Sequence, residues 1–151
     1  MRSLFRFVYL SKKMKHEATS EWKGGMAFAH NIDGHVVYSG SNKDGSIAGP
    51  SPKKLLLISL TGCTGVDIVE LLQKMRQSVT QIRLEVEADQ TTEHPKVYRE
   101  IRLVYHIYGQ DINPAKVERA ISLSQEKLCG VTAMLQVGVP ITYRYEIHKA
   151  G

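Results

Sequence analysis

The chain has 151 residues, of which 42% are hydrophobic and 23% are charged, as in an ordinary globular protein. One domain is the expected count at this length, and such a domain builds its core without a disulfide or a metal. Most of the net charge of +5 comes from basic residues that precede Glu17, so the remainder is nearly neutral and no nucleic-acid partner is expected.

Residues 1–14 carry a short apolar run that Arg6 interrupts, and they contain no acidic residue. No small-residue cleavage site follows the run, which argues against a secretory signal. We expect residues 1–14 to be a disordered or misassigned arm, with Met14 as a plausible true start, and residues 15–151 to form a single domain. No stretch approaches the ~20 apolar residues of a membrane span, so no membrane partner is expected. Two cysteines without a disulfide framework indicate the cytoplasm.

Three antiparallel strands are predicted first, over residues 16–22, 25–32 and 35–40. Asp33 and Gly34 stand between the second and third strands, and this dipeptide is a strong hairpin signal. The polar, glycine-rich segment 39–52 that follows is predicted to be a loop.

A long helix is predicted from Pro52 to about Gln77, since proline suits the first turn of a helix. Apolar residues occupy nearly its whole circumference, which is typical of a helix buried on several sides. In a small domain this makes it the central helix, with a sheet on one side and a second subunit as the candidate for the other.

The segments 82–90 and 97–109 alternate apolar and charged residues, and each is predicted to be a strand with one solvent-exposed face. Asn113 and Pro114 provide the N-cap and first position of a second helix, whose apolar positions run to Leu128. A further short helix is predicted from Cys129, and a closing strand at 139–148. The order of elements predicts an α+β fold.

The two cysteines are the main candidates for chemistry. Cys63 lies in the long helix between Gly62 and Gly65, and two glycines in a helix each cost about 1 kcal/mol relative to alanine. Close approach of another backbone or of a ligand would explain them. Asp67 shares the helix face of Cys63 and, if charged, raises the pKa of the thiol. Cys129 begins a short helix, where free N–H groups stabilise a thiolate.

The alternative from the residues alone is that both cysteines are small buried hydrophobic residues without reactivity. The six histidines are dispersed and none has metal-ligand spacing with a cysteine, so neither a metal nor another cofactor is expected.

The segments AGPSPKKLLLISLTGCTGVDIVELLQKMR and LSQEKLCGVTAML resemble the OsmC/Ohr family, and within it the branch of small OsmC-like proteins. The resemblance extends over residues 15–148. It implies antiparallel sheets wrapped around long central helices in an intertwined homodimer, with an active site at the dimer interface.

The resemblance also implies a thiol-dependent hydroperoxide reductase of oxidative-stress defence. Cys63 would be the peroxidatic residue that attacks an organic hydroperoxide, and Cys129 the resolving residue that forms a disulfide with it. A dithiol reductant would then restore both thiols.

The sequence departs from the family pattern beside Cys63. Active members hold an arginine there, positioned by a glutamate in the turn before the helix. Here the turn is Ser51-Pro52-Lys53-Lys54, and no arginine lies between Lys15 and Arg76. Whether the protein is an enzyme is therefore left open. The second hypothesis is a non-catalytic protein that binds a small hydrophobic molecule on the same dimeric scaffold, and a third is a structural dimer with inert cysteines.

Overall fold

The computed structural model describes residues 15–149, so the prediction for the arm 1–14 lies outside the described residues. The described residues form two compact units that divide between Pro52 and Lys53. A single domain over 15–151 stays a prediction. Each unit contains one three-stranded sheet.

The first unit is an antiparallel sheet of β1 (Ala18–Gly24), β2 (Ala27–Ile32) and β3 (His35–Ser39), in that order. Asp33 and Gly34 form the turn between β2 and β3, with φ angles of 52° and 81°. Both angles lie in the left-handed region that a two-residue hairpin turn of this hand requires. The predicted hairpin is therefore confirmed.

The second unit holds the remaining elements, which are α1 (Pro52–Lys74), β4 (Ser78–Gln90), β5 (Tyr98–Gln110), α2 (Pro114–Leu123), a π-helical segment (Ser124–Leu128), α3 (Gly130–Leu135) and β6 (Ile141–Lys149). The sheet order is β4-β5-β6. β4 and β5 are antiparallel as predicted, whereas β6 runs parallel to β5, so this sheet is mixed. The helices between β5 and β6 supply the long crossover that a parallel pair needs.

The core of the second unit lies between α1 and one face of its sheet. Alternate residues of β5 are fully buried, as expected for a strand with one face in the core. Residues of α1 that recur every four positions pack on this face, because they share one side of a helix. The buried residues are Ile101, Leu103, Tyr105 and Ile107 on β5 and Leu60, Thr64, Ile68 and Leu72 on α1.

The opposite side of α1 is apolar and is not covered by the other elements of the second unit. Ile58 is 58% exposed and Val66 is 68% exposed, and Leu56 and Val69 are also exposed. The sheet predicted on one side of this helix is confirmed, and the second subunit predicted for its other side stays a prediction. The sheet of the second unit covers only one face of α1.

By length and composition alone α1 is also apolar enough to cross a membrane, with a mean hydropathy of 1.8 over its most apolar 18-residue window. The prediction that no segment is long and apolar enough to span a membrane is therefore wrong. Core helices of soluble proteins meet the same criterion, and α1 packs against the sheet through Leu60, Ile68 and Leu72.

Candidate active site at the two cysteines

The fold brings the two cysteines together. Cys63 lies in the middle of α1 and is partly buried, while Cys129 precedes α3 and is 2% exposed. Their sulfur atoms and a carboxylate oxygen of Asp67 all lie within 4.8 Å of one another. Both cysteines are free thiols. The two residues, 66 positions apart in the chain, therefore occupy one site.

Cys129 is positioned by the turns on either side of it. The π-helical segment ends at Cys129, whose backbone N–H donates to the carbonyl oxygen of Ser124 at 2.9 Å. Cys129 is then the N-cap of α3, and its sulfur accepts the backbone N–H of Thr132 at 3.3 Å. The prediction that Cys129 stands at the amino end of a new helix is confirmed.

The surroundings of Cys63 act on its pKa in both directions. Burial raises the pKa of the Cys63 thiol most, and a hydrogen bond with Cys129 raises it further. The backbone N–H of Val131, in the first turn of α3, lowers the pKa, and the charge of Asp67 raises it. The effect predicted for Asp67 therefore has the right sign, and the balance favours the protonated thiol.

A buried hydrogen-bond network adjoins the thiols. The hydroxyl of Thr64, one residue after Cys63, lies 2.8 Å from the Tyr105 hydroxyl and 2.9 Å from the Ser124 hydroxyl. Ser124 donates in turn to Asp67 at 2.8 Å. The Asp67 carboxylate is therefore held by a side chain from the π-helical segment.

Gln125 completes this network from the same segment. Its side-chain amide donates to the Tyr105 hydroxyl at 2.8 Å and to Thr64 at 3.2 Å, and its oxygen lies 3.5 Å from the Thr132 hydroxyl. Burial raises the pKa of Tyr105 to about 12, so its phenol stays neutral. The network fixes α1, β5 and the start of α3 relative to one another around the thiols.

Sequence reasoning missed Tyr105, Ser124 and Gln125. A signal existed for the last two, because continuing the apolar face of α2 at helical spacing leads from Ile121 to these positions. The π-helical segment then changes the phase of the helix, so that Leu128, a predicted apolar position, is 53% exposed.

The glycines beside Cys63 face open space rather than a close neighbour within this chain. A Cβ at Gly62 would meet no atom within 4 Å among the described residues, and one at Gly65 would meet only the Leu84 side chain at 3.5 Å. Both glycines line a cavity of about 500 Å³ along the open side of α1. Its other lining residues are Thr61, Val66, Val69, Glu70, Gln73, Ile82 and Leu84.

The first turn of α1 contains no acidic residue, as the sequence indicated. Lys53 in this turn has its partners on β4 and in the loop that follows β4. Its ammonium group donates to the side chain of Gln90 at 2.5 Å and to the carbonyl of Lys96 at 2.9 Å, and it lies over the ring of Tyr98.

Two clusters within residues 15–149 have the composition of a metal site. One consists of Cys63, Asp67 and Cys129, where two thiols would favour a soft cation such as Zn²⁺. The other is a separate cluster of two histidines and a glutamate on the far face of the second sheet.

Comparison with known proteins gives consistent results for family and fold. The profile of a family described as "OsmC-like protein" matches residues 41–144. Protein YhfA of Escherichia coli strain K12 is 33% identical over 135 residues, which cover 89% of this chain and 99% of YhfA. A hypothetical protein from Aquifex aeolicus VF5 has a solved structure with 28% identity and a TM-score of 0.78, covering 90% of this chain and 99% of that one.

The organic hydroperoxide resistance protein OhrB of Bacillus subtilis has a TM-score of 0.61 at 13% identity, covering 88% of this chain and 98% of OhrB. At this identity the likeness is one of fold. The α+β, OsmC-like fold predicted from the sequence is confirmed by these structures.

Proposed function

Because the chain belongs to the family of OsmC-like proteins, we propose that it is a thiol-dependent hydroperoxide reductase of oxidative-stress defence. The observation that supports this most is the pair of free thiols, Cys63 and Cys129, whose sulfurs lie within 4.8 Å of each other. A peroxidatic thiol and a resolving thiol need this proximity, because the oxidised first sulfur is the electrophile for the second.

In the proposed reaction, the thiolate of Cys63 attacks the terminal oxygen of an organic hydroperoxide. The O–O bond breaks, the alcohol leaves with a proton, and Cys63 becomes a sulfenic acid. The Cys129 sulfur then attacks this sulfur, which releases water and forms a Cys63–Cys129 disulfide. An external dithiol reduces the disulfide and is itself oxidised to a disulfide.

The site favours a slow reaction. Burial, Cys129 and Asp67 all raise the pKa of Cys63, so only a small fraction is thiolate at neutral pH. The Val131 N–H opposes this by donating to the sulfur.

The apolar cavity supports an organic rather than an inorganic peroxide as substrate. It is about 500 Å³ in volume, and its wall includes Gly62, the residue before Cys63, while the Cys63 side chain does not line it. Val66, Ile82 and Leu84 provide an apolar lining that suits an alkyl or aryl group.

A homodimer is part of the proposal. The open side of α1 exposes Ile58, Val66 and Val69 along one helix, and exposed apolar surface of this kind marks an interface. The open space around Gly62 allows another backbone to approach closely, which would explain a glycine in the middle of α1. A second copy of the chain is the proposed occupant, and it would close the cavity beside Cys63.

The proposed location is the cytoplasm. A chain with only two cysteines has no disulfide framework, which suits a reducing compartment.

The second candidate function, favoured by a different observation, is binding without turnover. The raised pKa of Cys63 and the absence of an acid in the first turn of α1 both weaken the case for catalysis. The same apolar cavity would then hold a small hydrophobic molecule between α1 and β4.

A turnover assay separates these functions. The purified chain is mixed with cumene hydroperoxide and dihydrolipoamide, and hydroperoxide consumption is followed. A reductase consumes hydroperoxide in many turnovers, and Cys63→Ser abolishes this consumption. Cys129→Ser leaves a sulfenic acid on Cys63 that dimedone traps. Consumption by Cys63→Ser at the wild-type rate would rule out the proposed reaction, and hydrophobic-ligand binding without consumption would support the second function.

A further inference from the structure

Two histidines and a glutamate lie together on the face of the second sheet that points away from α1. His106 on the central strand β5 is the register partner of Glu146 on β6. His148 follows two residues later on β6, so it shares the face of Glu146. Three possible metal ligands are thus brought to one place by strand register alone.

The ligand atoms of these side chains face one another. Nδ1 of His106 lies 3.0 Å from Nε2 of His148 and 3.4 Å from Oε2 of Glu146. Nε2 of His148 lies 3.7 Å from the same oxygen. A tetrahedral ion with bonds of ~2.0–2.2 Å holds its ligand atoms roughly 3.3–3.6 Å apart, close to this triangle.

We propose that His106, Glu146 and His148 form a binding site for a divalent transition-metal ion of the Zn²⁺ type. Two imidazole nitrogens and one carboxylate oxygen are a ligand set that zinc accepts, and three protein ligands leave a further coordination position open. This site is distinct from the thiol pair and revises the sequence expectation that the chain needs no metal.

The far side of His106 provides an independent observation. His106 is 6% exposed, and its Nε2 has no hydrogen-bond partner among residues 15–149. Oε2 of Glu85 on β4 lies 3.5 Å from this nitrogen. A metal on Nδ1 would place the ring proton on Nε2, where a small shift of the Glu85 carboxylate would let it accept that proton in a hydrogen bond. Metal-binding histidines commonly donate their second nitrogen to a carboxylate in this way.

The carboxylate of Glu146 is oriented for metal binding by Arg144. Arg144 forms an ion pair with Oε1 of Glu146, which leaves Oε2 facing both histidines. One carboxylate oxygen is therefore available to the ion while the other is held in place, as in sites where a second residue orients the ligand.

The alternative explanation for the short distance between the histidines is a shared proton. Without an ion, one imidazole donates to the other across 3.0 Å, and the site binds no metal. A metal site predicts that the chain binds one Zn²⁺ ion and that this binding depends on His148 and Glu146. A shared proton predicts no such binding.

The test uses the full chain carrying Cys63→Ser and Cys129→Ser, so that the thiol cluster cannot bind metal. After chelator treatment, Zn²⁺ binding is measured by calorimetry and Co²⁺ binding by visible absorption. We expect one ion per chain and the strong visible bands of a tetrahedral cobalt site. His148→Ala should abolish both signals, and Glu85→Gln should weaken affinity by roughly 10–100-fold.

His35→Gln is the matched control, because His35 is an exposed histidine on a strand of the other unit, and it should bind as the parent does. Glu146→Gln is the second variant should His148→Ala fail to fold by circular dichroism, and it should also remove binding. Absence of stoichiometric Zn²⁺ uptake by the parent would overturn the proposal, as would equal uptake by the parent and by a folded His148→Ala or Glu146→Gln variant.

Discussion

Cys63 lies between groups that act on its charge in opposite directions. Burial, the Cys129 thiol and the Asp67 carboxylate stabilise the protonated form, while the Val131 N–H stabilises the thiolate. No arginine lies between Lys15 and Arg76 in the sequence. Arg76 lies beyond the end of α1 at Lys74. The reactivity of Cys63 therefore depends on backbone N–H groups more than on a cation.

This balance predicts how the rate of Cys63 alkylation depends on pH. Its pKa is raised above the ordinary value of ~8.5, so at neutral pH Cys63 should react with iodoacetamide more slowly than a cysteine in a short peptide. The rate should rise about tenfold per pH unit until the raised pKa is reached. Peptide mapping by mass spectrometry measures the alkylation rate at Cys63. A rate that already exceeds that of the peptide at neutral pH and does not change at higher pH would contradict a raised pKa.

The hydroxyl of Tyr105 is predicted to contribute to the stability of the fold. Tyr105→Phe removes the hydroxyl that bonds Thr64 and Gln125 and leaves buried polar groups without that partner, so it should lower the free energy of unfolding by about 1–3 kcal/mol. Urea denaturation at neutral pH measures the change. Tyr38→Phe is the control, because Tyr38 is 51% exposed, and it should change stability by less than about 0.5 kcal/mol.

The pH dependence of this effect has a definite sign. The folded-state pKa of Tyr105 is raised to about 12, so the stability that its neutral phenol provides is present in full below the ordinary tyrosine pKa of ~10. It is lost as the pH rises from there towards about 12. The gap in stability between wild type and Tyr105→Phe should therefore narrow over this range, and a gap that widens would contradict the buried, neutral phenol.

Among the elements, the π-helical segment Ser124–Leu128 has the greatest influence on the site. Its widened turn holds one more residue than an α-helical turn, and such turns are frequent at functional sites. Here it turns Ser124 and Gln125 into the core, moves Leu128 to the surface and ends at Cys129. The register of this one turn decides whether Cys129 faces Cys63.

Shortening that segment tests its role. Deletion of Lys127, an exposed residue within it, should restore α-helical spacing and rotate Cys129 away from Cys63. Oxidation with diamide should then give the intramolecular disulfide in the wild type but not in the deletion variant, as measured by non-reducing peptide mapping. Lys127→Ala keeps the chain length and should form the disulfide normally. Equal disulfide yield in the deletion variant would show that the segment does not set the position of Cys129.

Elements with strong local signals could be predicted from the sequence. Asp33-Gly34 determines a turn through backbone conformation, and Asn113 caps α2 by accepting the backbone N–H of Ala115 at 2.9 Å, as expected. The direction of β6 could not be predicted, because strand pairing depends on where the crossover delivers the chain rather than on local composition. The π-helical turn could not be predicted either, because one extra residue in a helical turn requires no particular residue type.

The site was predictable only in part for the same reason. Each cysteine stands in a recognisable segment, whereas their contact depends on how α1 packs on β5 and where the π-helical segment ends. The tyrosine of the network, Tyr105, occupies an inward position of β5 that the alternating pattern assigns to the core. Nothing in that pattern indicates that its hydroxyl meets Thr64 and Gln125.

For the molecule as a whole, the open side of α1 predicts self-association. Val66→Glu places a charge on the proposed interface and should convert a dimer to a monomer, because an unpaired charge cannot be buried there without a large cost. Light scattering coupled to size-exclusion chromatography measures the mass. Val137→Glu is the control, since Val137 is 89% exposed after α3, and its mass should equal that of the wild type. A monomeric wild type, or a dimer that persists in Val66→Glu, would contradict this interface.

The proposed function requires Cys63 and Cys129 to act as one redox pair. One equivalent of cumene hydroperoxide is added to the fully reduced protein, and the products are mapped by mass spectrometry under non-reducing conditions. We predict a Cys63–Cys129 disulfide as the main product, reversed by dihydrolipoamide, with sulfenic acid trapped at Cys63 in Cys129→Ser. Two thiols that stay reduced while the hydroperoxide persists would contradict the proposed function.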